Sequence, residues 1–169
     1  MEQGLQRSRQ ELRAVLRGLL PVAVDGEGLM AALADLASRT QQQAKVTCMF
    51  DCPEPVSLTD NLTATHLYLI AQEAVHNAVK HSKPQNIWIG LQSNPGLVLW
   101  VQCDGMGMPA RPLVAEGLGL RIMRNRAAII GAHLTIEPAE PTGTVVACTL
   151  VRRNNEREKE NTSPSPDRR

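Results

Sequence analysis

Leu67-Tyr68-Leu69-Ile70-Ala71-Gln72-Glu73-Ala74-Val75-His76-Asn77-Ala78-Val79-Lys80-His81-Ser82 reads as a helix with two faces that do different work. Leu67, Ile70, Ala71, Ala74, Val75 and Ala78 recur at helical spacing and form one apolar stripe, the side to be buried. At about 100° per residue, His66, Glu73, Asn77 and Lys80 share a second stripe beside it. A carboxylate, an amide one turn on and a cation one turn beyond set an acceptor, a metal-capable oxygen and a phosphate-seeking charge in a row. Asparagine inside a helix competes for backbone hydrogen bonds. Its presence there asks for a chemical reason. Alone, the Glu/Asn pair reads first as a surface hydrogen bond worth about 0.2–0.5 kcal/mol, and the rest of the chain changes that reading.

Working outward, Ser57-Leu58-Thr59-Asp60 starts this helix, with Thr59 or Ser57 as N-cap and Asp60 near the positive end of the dipole, and Pro84 closes it. Upstream, residues 45–50 alternate and are β-branched, a strand stopped by Pro53 and Pro55. Before it lies a helix over about 29–42, with Leu29, Leu33 and Leu36 as its apolar side. Residues 3–20 carry Leu5, Leu12, Val15, Leu16, Leu19 and Leu20 among Arg and Gln, an amphipathic helix ended by Pro21. Downstream, 86–92 and 97–103 alternate on either side of Asn94-Pro95-Gly96, a hairpin. A glycine-bearing loop (104–119), a helix (120–130) and two strands (132–137 and 144–151) follow. From 154 to 169 the chain turns charged and Ser/Pro-rich, the composition of a disordered tail. Hairpin-linked strands with helices grouped apart from them predict an α+β fold, a two-layer sandwich with a mixed, mostly antiparallel sheet.

At 169 residues the chain is one domain with room for a real core. Its net charge of +1 and scattered basic residues give no electrostatic footprint for nucleic acid. Phe50, Tyr68, Trp88 and Trp100 are its only aromatic side chains, too few for a base-stacking platform, so the core is aliphatic. Cys48, Cys52, Cys103 and Cys148 form no zinc-type pattern and read as reduced thiols of a cytoplasmic protein. No apolar run approaches the length of a membrane span, and no signal peptide opens the chain.

Two glycine clusters follow the hairpin. Cys103-Asp104-Gly105-Met106-Gly107-Met108 is the first; Glu116-Gly117-Leu118-Gly119-Leu120 is the second and leads into a helix bearing Arg121, Arg124 and Arg126. Glycines let backbone approach an anion closely, and a helix N-terminus offers aimed N–H groups and partial positive charge. Neither cluster is a P-loop, because the Gly-Lys-Ser/Thr ending is absent. The ordered set carries the weight: a Glu/Asn helix, a hairpin, D-G-x-G, about ten residues, G-x-G-L, then a late Gly-Thr.

On those residues the chain resembles the ATPase domain of two-component sensor histidine kinases. Gln72 to His81 looks like the N-box, Gly117 to Ala127 like the second glycine box, and Gly143-Thr144 like the late Gly-Thr of the adenine pocket. Leu16-Arg17-Gly18-Leu19-Leu20-Pro21 is similar to the join between dimerisation helix and ATPase domain in the nitrate-sensor-like subfamily. The resemblance covers about residues 10–151. It implies the Bergerat (GHKL) fold, with residues 1–21 ending a dimerisation helix, 22–153 forming the ATP-binding catalytic domain and 154–169 a tail. It also implies ATP and Mg²⁺ between the N-box helix and a lid over about 108–118. Asn77 would hold Mg²⁺, and Glu73 would be the base or polarising group. Lys80 and Arg124 would lie near phosphate, Gly117 and Gly119 would give backbone donors, and Gly105, Gly107, Leu118, Leu120 and Thr144 would complete the nucleotide site.

In the family the first glycine box reads Asp-x-Gly-x-Gly, and its Asp accepts from the adenine amino group. Here Cys103 stands at that position and Asp104 one residue later. Either the backbone brings Asp104 to the base, or the contact is weak and affinity for ATP falls by about 1–3 kcal/mol. None of His66, His76, His81 or His133 sits in a phosphoacceptor helix, so this chain is not expected to phosphorylate itself. The implied partners are a histidine-bearing dimerisation domain, supplied in trans or by a longer parent that could be membrane-anchored, a response regulator, and a second copy through the N-terminal helix. An anti-sigma-type serine kinase and a degenerate, non-catalytic module are the alternatives.

Overall fold

The computed structural model describes residues 25, 26, 28–94, 96–107 and 117–151. The expected 3–20 helix, most of the lid and the 154–169 tail lie outside them. Helix α1 (Leu29–Ala44) ends where Lys45 turns left-handed, and strand β1 follows over Thr47–Asp51. The central helix α2 spans Asn61–Asn77 and continues as a single π turn over Ala78–Ser82. The hairpin is β2 (Asn86–Gln92) and β3 (Leu97–Cys103); α3 (Leu118–Ile129), β4 (His133–Pro138) and β5 (Thr144–Leu150) complete the chain.

The start of α2 differs from expectation by one or more residues. Asp60, not Thr59 or Ser57, is the N-cap: its carboxylate accepts from the backbone N–H groups of Leu62 at 3.0 Å and Thr63 at 3.2 Å. Asp does both jobs there, satisfying orphan donors and complementing the dipole.

The five strands run in the order β1-β2-β3-β5-β4; β1 pairs parallel to β2 and every other pairing is antiparallel. Register sets the faces. Ile87↔Cys103, Ile89↔Val101 and Leu91↔Leu99 place buried side chains opposite one another beneath the helices. On the outer face Trp100 lies opposite Gly90, and its indole fills the space a β-carbon there would need. Helix α1 packs on β1, α2 on β3, and α3 on α2 and β4, giving helices over one face of a mixed sheet. The expected α+β sandwich is the fold observed.

Helix α2 is the keel. Leu67, Ile70, Ala71, Ala74, Val75 and Ala78 are all buried, as the periodicity requires, and Tyr68 and Leu69 join them. Fully burying a leucine or isoleucine is worth about 1.5–3 kcal/mol, so this helix fixes the two layers against each other. Tyr68 keeps its hydroxyl satisfied by accepting from Arg39 Nη2 at 3.0 Å.

Candidate nucleotide site

The polar stripe of α2 faces the start of α3. Glu73 and Asn77 are partly buried, and Gly119 lies directly against them. A β-carbon at Gly119 would collide with Glu73 Oε1 and stand 3.3 Å from Asn77 Nδ2. Any larger residue here would push the Glu73 carboxylate aside. The second glycine cluster is therefore not a loop before a helix: Gly117 is the N-cap, without a side-chain capping bond, and Leu118, Gly119 and Leu120 form the first turn. Their N–H groups are the orphan donors of a helix start.

Lys80 departs from the expected row. The helix widens to a π turn after Asn77, which takes position 80 off the 3.6-residue register, and its side chain is exposed. Arg121 and Arg124 are exposed as well. The arginine that reaches inward is Arg126, which sequence reasoning did not select. It is partly buried, held below the usual guanidinium range by that burial, with the Glu73 carboxylate acting in the opposite direction. Helical spacing carried the signal: Arg126 is seven residues beyond Gly119 and so on the same face. Arg126 also acts on His66, whose imidazole is pushed toward the neutral form by desolvation and then by Arg126, and whose Nδ1 is buried without a partner.

The first glycine cluster forms the far end of the site. Gly105 sits on the carbonyl of Ser82, at the end of the π turn, with no space for a side chain, and Met106 N–H donates to that carbonyl at 2.7 Å. Gly107 approaches the carbonyl of Gly143. Cys103 is buried at the end of β3, opposite Thr144 on β5, both side chains on the helix-facing side. Thr144 Oγ1 is shielded from water and unpartnered. All four cysteines are free thiols, and burial raises Cys48 and Cys148 to about 11.

Asp104 points elsewhere. Its Oδ1 accepts from Gln85 N–H and Asn86 N–H, each at 2.9 Å, and its Oδ2 accepts from Asn86 Nδ2 at 2.6 Å. These bonds tie the end of β3 to the start of β2. Asp104→Ala should cost about 1–2 kcal/mol in chemical denaturation, the low end because solvent reaches the carboxylate. The bonds from Asn86, backbone first, hold its carboxyl below the ordinary 3.8. The stability this adds is present above the unfolded pKa and is lost as pH falls through the lower folded one. The gap between wild type and variant should therefore close below about pH 4; a gap unchanged down to pH 2 would contradict this role.

The profile of the histidine kinase-, DNA gyrase B-, and HSP90-like ATPases matches residues 63–154, which span every element of this site. The chain belongs to that family. This ATPase domain is 32% identical over 148 residues to the sensor protein VraS of Staphylococcus saprophyticus, covering 85% of the chain and 41% of the relative. It is 29% identical over 140 residues to the sensor histidine kinase LiaS of Bacillus subtilis, covering 82% and 38%. The chain thus spans about two fifths of the curated relatives it matches. Among solved structures, it overlays on the blue-light activated histidine kinase of Erythrobacter litoralis EL346 with TM-score 0.61 and 26% identity, covering 72% of the chain and 44% of that structure. The ATP-binding domain of PrrB from Mycobacterium tuberculosis (TM-score 0.57, 20% identity, covering 73% of this chain and 93% of that structure) shares the fold. The chain is an ATPase domain of the sensor histidine kinase type.

The residues present fit a bound nucleotide. The uncapped start of α3 lies beside the Glu73 and Asn77 side chains, and Thr144 offers a buried hydroxyl with an unused hydrogen bond. Among the described residues no three His, Cys, Asp or Glu side chains gather as a metal cage. A Mg²⁺ held by one amide and the nucleotide's own phosphates needs no such cage. Among the described residues no helix is long and apolar enough to cross a membrane.

Proposed function

We propose that the chain is the catalytic, ATP-binding part of a sensor histidine kinase, passing the γ-phosphate of ATP to a histidine on a dimerisation domain for relay to a response regulator. The observation that carries this reading is the contact of Gly119 with Glu73 and Asn77, which joins the helix carboxylate and amide to a helix start rich in free N–H groups. In this reading Asn77 holds Mg²⁺ and the N–H groups of Leu118, Gly119 and Leu120 receive phosphate oxygens. Glu73 polarises the attacking imidazole, and Lys80 and Arg124 approach the phosphates from the exposed rim. Catalysis of phosphoryl transfer is mostly positioning and charge stabilisation, and these groups supply both. Arg126 adds positive charge on the same face of α3, within the field of the Glu73 carboxylate.

Residues 1–21 serve in this reading as the end of the dimerisation helix, and the parent belongs to the nitrate-sensor-like subfamily. The buried Cys103 favours a second reading, a nucleotide-binding module without turnover. Incubation of the full chain with labelled ATP, Mg²⁺ and a separate histidine-bearing dimerisation domain separates them. Label on that histidine is expected. ATP bound but unconsumed would select the second reading.

A further inference from the structure

We infer that this site is tolerant of the purine base and accepts GTP and ITP nearly as well as ATP. The inference rests on the nucleotide reading above and concerns the end of the cleft farthest from Asn77. Ser82, Gly105, Gly107, Cys103 and Thr144 meet there, one π turn beyond Asn77.

Selectivity for adenine over guanine needs a group that accepts a hydrogen bond and cannot donate one. A carboxylate is such a group: it attracts the exocyclic amine of adenine and repels the keto oxygen of guanine. The nearby carboxylate, Asp104, is engaged. Three donors from Gln85 and Asn86 occupy both its oxygens at 2.6–2.9 Å, on the β2 side of the strand end. Moving it to the base would break three charge-assisted hydrogen bonds and leave two backbone N–H groups without their acceptor.

What faces the helices at this end is a thiol and a hydroxyl, paired across β3 and β5. A thiol is a weak donor and a weak acceptor, and a hydroxyl rotates to be either. Thr144 Oγ1, buried and unpartnered, can donate to a ring nitrogen of adenine or to the keto oxygen of guanine with equal ease. A buried hydroxyl without a partner points to a ligand that completes it. Neither group carries charge to repel one base. Recognition therefore falls on the triphosphate end, which the three nucleotides share.

The test is isothermal titration of the full chain with ATP, GTP and ITP in Mg²⁺, for wild type and Cys103→Asp. For wild type the ATP and GTP dissociation constants should agree within about tenfold. The variant, checked for folding by circular dichroism, should widen their ratio by about tenfold or more, by tightening ATP and weakening GTP. A wild-type preference for ATP above about tenfold would overturn the inference and leave the nucleotide reading standing; it needs no variant. Binding of none of the three would overturn both. Cys103→Ser, which keeps an uncharged group that both donates and accepts, should leave the wild-type ratio within about threefold; a larger change there would also overturn the inference.

Discussion

Asn77→Asp should lower the affinity for Mg·ATP at least about a hundredfold while leaving the fold intact. The substitution is nearly isosteric, and Asn77 is partly exposed at the end of α2, so little packing is lost. What changes is charge. A second carboxylate one turn from Glu73, facing the same helix start through Gly119, would confront both Glu73 and a triphosphate. Like charges brought together in a closed site cost several kcal/mol, and each 1.4 kcal/mol is tenfold in affinity. Calorimetry with ATP and Mg²⁺ reads the effect, and circular dichroism confirms the fold. Binding unchanged within threefold would remove Asn77 from the site.

Gly143→Ala should have the largest effect on stability, about 2–5 kcal/mol in urea denaturation. Gly143 has φ +114, a region L side chains rarely adopt, and a β-carbon there would run into the carbonyl oxygen of Cys103. The obstacle is backbone at the end of a paired strand, so it cannot swing aside as a side chain would. Strained backbone costs about 1–3 kcal/mol and overpacking about as much again. Gly117→Ala is the control: it has φ −62 and open space around it, so it should cost less than about 1 kcal/mol. Equal losses for the two would show that side-chain space at Gly143 is not the cause.

Much of this was legible in the sequence because it depends on periodicity. The buried face of α2 follows from Leu67, Ile70, Ala71, Ala74 and Val75, and the hairpin register follows from alternation about Asn94-Pro95-Gly96. What was not legible depends on tertiary contact. Nothing in Ala78-Val79-Lys80-His81-Ser82 announces a π turn, since no glycine or proline interrupts it before Pro84. Gly117-Leu118-Gly119 reads as loop by composition; its helical start is sustained by α3 packing on α2. The parallel pairing of β1 with β2 joins strands separated by the whole of α2, and local pattern does not specify it.

The site divides the same way. Glu73, Asn77 and Gly119 were readable as chemistry in a fixed order, and the structure brings them together. Choosing among Arg121, Arg124 and Arg126 required knowing which face of α3 meets Glu73. For residues 103 and 104, sequence left open which one turns toward the helices. The answer came from Gln85 and Asn86, whose N–H groups hold Asp104 and whose position no spacing rule reveals.

On the proposed function, the Asn77 amide and the first turn of α3 close on one metal–nucleotide complex. Titrating the ¹⁵N-labelled chain with ATP and Mn²⁺, a paramagnetic substitute for Mg²⁺, tests it most directly by nuclear magnetic resonance. Signal loss should be greatest at the Asn77 side-chain amide and the backbone amides of Leu118, Gly119 and Leu120. Retention of those signals while ATP is bound and signals elsewhere are lost would contradict it.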